Sequence, residues 1–173
     1  MRIVLIGYRG AGKSTVAREL ATLLDCDWVD ADDEIEARAG KSIASIFADD
    51  GEGHFRGLET AVLRDLCARE RIILAAGGGA VLREENRDLL AAGGKIVWLR
   101  AAPETIIARL RADAGTAARR PSLTGGGTEA EIAELLEQRT PIYRQCADVT
   151  VDTDPCAPAD VAAEILRQLK LDS

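Results

Sequence analysis

The sequence predicts an α/β fold, a five-stranded parallel sheet with flanking helices. Three observations carry this. Short, continuously apolar runs recur along the chain, and hydrophobicity that is continuous rather than alternating suits strands covered on both faces. Stretches of helical periodicity separate those runs, as crossovers between parallel strands require. Aromatic residues make up only 3% of the 173 residues against 47% hydrophobic overall, so Leu, Ile, Val and Ala must fill the core.

The first strand is "RIVLI", Arg2 to Ile6, and glycine-rich sequence follows it at once. From Ser14, "STVARELATLL" places Val16, Leu20, Leu23 and Leu24 at helical spacing. "DWVDAD" reads as a second strand, with Asp30 and Asp32 alternating onto one side of its end. "DEIEARAG" and "SIASIFADDG" read as two short helices stopped by Gly40 and Gly51, and "FRGLETAVLRDLCARE" as a further helix. "IILAA" is a buried strand closed by Gly77, Gly78 and Gly79, and "REENRDLLAAGG" a helix. "KIVWLR" is the fourth strand, and "PETIIARLRAD" starts a helix at Pro103, where a missing N–H costs nothing.

The periodicity then lapses. "AGTAARRPSLTGGGTE", Ala114 to Glu129, predicts a mobile surface loop of the kind used as a lid. "AEIAELLEQRTPIYRQ" resumes a helix, "ADVTVDT" gives the last strand, and "APADVAAEILRQLKL" an amphipathic terminal helix. One domain over residues 1–173 is the expectation from length.

A formal net charge of -7 opposes broad electrostatic binding to nucleic acid or to an anionic membrane. Cys26, Cys67, Cys146 and Cys156 form no metal or redox motif and read as reduced thiols. The apolar run after Met1 is too short for a signal peptide, and no stretch reaches membrane-spanning length, so a cytoplasmic protein is expected.

"GYRGAGKST" fits G-x-x-x-x-G-K-[ST] through Gly7, Gly12, Lys13 and Ser14. Glycines let backbone N–H groups wrap phosphates, and the following helix offers its positive end. Lys13 neutralises β and γ oxygens, and Ser14 offers a hydroxyl to Mg²⁺. The strand before and the helix after supply the context the motif needs. An N-K-x-D base reader is missing from the sequence, which lowers the GTPase reading, and "IILAA" ends in glycines rather than in a water-activating acid. Glycines at a strand's carboxyl end permit close approach by a small substrate, although they also stop strands for structural reasons.

Taken together, "GYRGAGKST", "DADDEIE", "SIASIFADDGEGHFRGLE", "GGGAV", "RRPSL" and "QRTPIYR" resemble the shikimate kinase family in order and spacing over nearly the whole chain. The resemblance implies a P-loop, nucleoside-monophosphate-kinase-like fold with a substrate-binding helical region about residues 32–60 and a lid about residues 112–128. It implies transfer of the γ-phosphate of ATP to the 3-hydroxyl of shikimate, with Mg²⁺ as cofactor and a monomer as the working unit. ATP phosphates would be bound by Gly10, Ala11, Gly12, Lys13, Ser14, Thr15 and Arg120. The metal would be held by Ser14 and, through water, Asp30. Shikimate would be bound by Asp32, Arg56, Gly78 and Arg139, and Lys13, Asp32 and Arg120 would be the catalytic set.

A guanidinium can grip the substrate carboxylate with two parallel hydrogen bonds, which suits Arg56 and Arg139. Glu59, three residues after Arg56, either orients it or forms an ordinary helix-surface pair. His54, the sole histidine, reads as a bystander. Asp33 and Glu34 read as solvated charges at a helix start. Two departures from the family pattern stand out: "TDPCAP" after the last strand makes an adenine contact by Asp154 or Cys156 doubtful, and "RRPSL" replaces the commoner R-P-L-L. A kinase of another small polar metabolite, gluconate for example, and an ATP-binding module without turnover are the competing readings.

Overall fold

The computed structural model describes residues 1–113 and 129–171. Five strands, β1 (Arg2–Ile6), β2 (Asp27–Asp30), β3 (Ile72–Ala75), β4 (Lys95–Arg100) and β5 (Val149–Asp152), form one sheet in the order β2-β3-β1-β4-β5. Every pairing is parallel, with Val4 opposite Leu74 on one side and Ile96 on the other. The predicted sheet is therefore the observed one.

Seven helices are described: α1 (Lys13–Leu24), α2 (Ala31–Ala39), α3 (Ile43–Cys67), α4 (Glu84–Ala91), α5 (Pro103–Ala112), α6 (Glu129–Cys146) and α7 (Pro158–Leu169), with a 3-10 turn at Ala80–Leu82. Alternate residues of β1 face opposite layers, as the two-residue period of a strand demands. Ile3 and Leu5 pack with Val16, Leu20, Val161 and Ile165 of α1 and α7. Val4 and Ile6 pack with Ile35, Phe55, Leu63, Leu66 and Tyr143 on the opposite face. Helices thus cover both faces, and Ile3, Val4 and Leu5 are completely buried.

Two element ends differ from expectation. The second strand stops at Asp30 instead of running to Asp32, because Asp30, still extended at φ -91° and ψ 122°, accepts the Asp32 amide with its side chain as an N-cap and helix begins at Ala31. Asp32 therefore belongs to the first turn of α2. The two helices predicted over 42–51 and 55–70 run together as α3, interrupted at Gly51, whose φ of 83° and ψ of 171° break the helical path. Glycine is the residue that adopts this conformation at low cost.

All four cysteines are free thiols. Among the described residues no helix is long and apolar enough to cross a membrane.

Connections leave β1 and β3 in opposite directions, towards β2 and towards β4 respectively. In an open α/β sheet the crevice beyond the carboxyl ends of such strands is the ligand position. Both glycine-rich loops open into it.

Candidate active site

The phosphate loop leaves β1 at Gly7 and enters α1 at Lys13. Gly12 caps α1 in a left-handed conformation, φ 90°, and provides no side-chain acceptor. The first-turn N–H groups therefore face the crevice without a side-chain cap, an arrangement suited to an anion. The Lys13 ammonium donates to the carbonyls of Gly7 and Tyr8, each at 2.9 Å, so it spans the mouth of the loop.

Opposite stands the acidic segment. The Ser14 hydroxyl donates to Asp30 Oδ2, and Asp30 Oδ1 accepts the Asp32 amide at 2.8 Å. Asp30 thus joins the start of α1 to the start of α2. Asp32, Asp33 and Glu36 of α2 line a cleft of about 240 Å³ with Gly12, Lys13 and Gly78. Asp33 therefore belongs to the cleft wall as well as to a helix start, while Glu34 pairs with Arg38 at 2.8 Å on the surface, as expected of a helix-start charge.

Ser14 and Asp30 are hard oxygen donors held in contact, which fits Mg²⁺, an ion that takes few protein ligands and completes its shell with phosphate and water. Among the described residues no group of three or more His, Cys, Asp or Glu side chains forms an all-protein cage.

The two substrate-binding arginines of the sequence reading approach from different elements. Arg56, on α3 just past the Gly51 break, is 8% exposed. It donates to Glu59 Oε2 at 2.7 Å, and its guanidinium lies 5.3 Å from the Phe55 ring centroid. Glu59 is 1% exposed, so the pair is a buried one rather than a surface contact. Arg139 on α6 sits with its guanidinium 5.4 Å from the ring centroid of Tyr8 in the phosphate loop. Neither arginine lines the cleft directly; Arg56 borders Gly79, next to cleft-lining Gly78, and Arg139 backs onto the loop through Tyr8. His54 is exposed. Arg120 and most of the 112–128 segment lie outside the described residues.

The contacts of two residues were not expected from the sequence. Arg109 of α5 donates to the Gly10 carbonyl at 3.3 Å, to Thr153 Oγ1 at 3.1 Å and to the Thr153 carbonyl at 3.2 Å, tying the phosphate loop to the end of β5. Tyr143 donates from its hydroxyl to the Gly78 carbonyl at 2.5 Å and stacks on Trp98. A signal for Tyr143 existed: it follows Arg139 by four residues, one helical turn, inside the same motif. Arg109 lies one turn after buried Ile106, but its partners are 99 and 44 residues away in sequence.

The family model described as "Shikimate kinase" matches residues 9–170. A shikimate kinase of Rhodopirellula baltica is 46% identical over 165 residues, 95% of this chain and 88% of that protein. One from Chromohalobacter salexigens is 45% identical over 168 residues, 97% of this chain and 91% of that protein. Among solved structures, the shikimate kinase of Acinetobacter baumannii in complex with shikimate superposes with a TM-score of 0.92 at 39% identity, covering 98% of this chain and 92% of that one.

Proposed function

The chain belongs to the shikimate kinase family, and from that premise we propose how its own residues carry the reaction. The enzyme transfers the γ-phosphoryl group of ATP to the 3-hydroxyl of shikimate, a step of aromatic amino-acid biosynthesis. In the proposed in-line displacement, a bond forms between the substrate oxygen and the γ-phosphorus as the bond to the β,γ-bridging oxygen breaks. ADP is the leaving group, and the hydroxyl proton passes to Asp32.

Gly10, Ala11, Gly12, Lys13, Ser14 and Thr15 hold the ATP phosphates, with Arg120 closing on them from the 112–128 segment, which acts as a lid. Lys13 and Arg120 spread the charge that develops on the moving group. Ser14, and Asp30 through water, would hold Mg²⁺, which when bound would offset negative charge on the ATP phosphates. Arg56 and Arg139 grip the shikimate carboxylate, Gly78 lets its backbone approach the ring, and Asp32 orients the attacking hydroxyl. The helical region about residues 32–60 forms the acceptor side of a single domain over 1–173. A monomeric, cytoplasmic enzyme with shikimate and ATP as its partners completes the reading.

The observation that carries this reading is the meeting of three separate motifs at one crevice: the phosphate loop, the Asp30–Asp32 segment and Gly78, whose neighbour Gly79 borders Arg56. Lid closure serves to exclude water, which would otherwise compete as acceptor. ADP production with ATP and Mg²⁺, measured with and without shikimate, tests the reading. A strong dependence on shikimate is expected, and equal rates would sink it. Gluconate in place of shikimate should give only the background rate.

A further inference from the structure

Gly78 and Gly79 are neighbours, yet the space beside each is filled by a different part of the protein. A Cβ added at Gly78 would lie 3.1 Å from the Arg9 amide nitrogen and 3.6 Å from the Gly7 carbonyl oxygen, both in the phosphate loop. A Cβ added at Gly79 would lie 2.5 Å from Arg56 Nη2, 2.7 Å from Nη1 and 3.0 Å from Cζ. The Gly79 backbone, φ -101° and ψ 5°, is in a region open to other residues, so conformation does not demand glycine there. Room for the guanidinium does.

We propose that Gly79 is a positioning residue: the missing side chain is the recess in which the Arg56 guanidinium is seated, and it sets affinity for an acceptor carboxylate independently of the nucleotide. The identity of that acceptor rests on the shikimate kinase reading; the recess itself does not. The guanidinium is fixed on its other sides, by the 2.7 Å hydrogen bond to Glu59 Oε2, by the weaker approach to Glu52 Oε1 at 3.6 Å and by the Phe55 ring. A methyl group at position 79 meets the end of a long side chain rather than backbone, so the collision is relieved by displacing the guanidinium. That displacement breaks the contact with Glu59 and turns the fork away from the position in which it can hold a carboxylate with two parallel bonds.

The test uses the full chain with Gly79→Ala, Arg56→Ala and the double variant. Calorimetric titration with shikimate should show Gly79→Ala weakening binding by about tenfold or more, the loss of a charge-assisted contact. The Kd for ADP should stay within about twofold, because phosphate binding is assigned to the loop. The KM for shikimate should rise more than kcat falls. In the double variant the shikimate affinity should match that of Arg56→Ala alone, since both changes act on one group. Wild-type shikimate affinity in Gly79→Ala, or full additivity in the double variant, would overturn the proposal.

A second arm needs no ligand. The coupling between Arg56 and Glu59, measured by urea denaturation of the Arg56→Ala, Glu59→Ala and double variants, should shrink in a Gly79→Ala background. Unchanged coupling would overturn the recess. If Gly79→Ala folds poorly, adding Arg56→Ala should restore its stability to that of Arg56→Ala alone, and failure to do so would assign the glycine to the backbone instead. A wild-type protein that binds no shikimate would sink the functional reading while this arm still decides the role of Gly79.

Discussion

Arg56 and Glu59 form a buried ion pair one helical turn apart, with Nη1 donating to Oε2 at 2.7 Å and the carboxylate 1% exposed. Attraction between charges is strong in such surroundings, but so is the cost of removing one partner. Glu59→Gln keeps the volume and removes the charge. It should lower stability by about 3 kcal/mol and raise the KM for shikimate, leaving the KM for ATP nearly unchanged. Urea denaturation and initial-rate kinetics check both halves.

Lys13→Ala removes the ammonium that spans the Gly7 and Tyr8 carbonyls. Loss of one preorganised cation at a transferring phosphoryl group costs on the order of 100-fold or more in kcat. The KM for ATP should rise with it, and a coupled assay for ADP reads both. Activity equal to wild type would contradict the phosphate-loop assignment.

Asp32→Asn is expected to leave ADP binding intact while turnover falls on the order of 100-fold or more, the contribution of a positioned general base. The Asp32 amide, which bonds Asp30, is untouched by this change, so the cap on α2 persists. Equilibrium titration beside single-turnover phosphoryl transfer separates binding from chemistry. Unchanged transfer would remove Asp32 from the role of base.

Arg109→Ala deletes three hydrogen bonds between α5, the phosphate loop at Gly10 and Thr153. Two of these partners are backbone carbonyls, and one of them, Gly10, lines the crevice. The KM for ATP should rise roughly tenfold, matching the loss of one to two kcal/mol of charged hydrogen bonding, and shikimate binding should hold.

Arg100 and Asp152 face each other across the β4–β5 pair and are joined at 2.5 and 2.8 Å. Hydrogen bonding from Arg100 holds the Asp152 carboxyl below its ordinary range. With the folded value depressed, the stabilisation is fully present above the unfolded carboxyl range, near pH 4, and is lost as pH falls through the folded value. Asp152→Asn should therefore cost less than about 1 kcal/mol at pH 7, because both side chains are roughly half exposed. That difference should shrink as pH falls below the unfolded carboxyl range, and a series of denaturation curves from pH 7 into strong acid would show it.

The strand and helix order was legible because β1, β3 and β4 carry continuous apolar runs and several breaks carry glycine or proline, as with Gly40, Gly51 and Pro103. The phosphate loop was legible because its chemistry is written in consecutive residues. Asp32 was misplaced because alternation with Asp30 mimics a strand end, whereas the Asp30 side chain closes a helix there. Glu59 showed its spacing in the sequence but not its burial, which depends on packing of α3 against the sheet and α4. Arg109 was invisible since its partners meet it only after the sheet has brought Gly10 and Thr153 together.

The Asp30 carboxylate has one oxygen on the Ser14 hydroxyl and the other on the amide that begins the Asp32 turn. Nucleotide side and acceptor side are thus measured from a common datum. A displacement of either helix start is therefore felt by the other through the two hydrogen bonds of one carboxylate. Asp30→Glu lengthens that link, and because Asp30 is also proposed to stand beside Mg²⁺, it is expected to disturb metal-dependent nucleotide binding together with transfer.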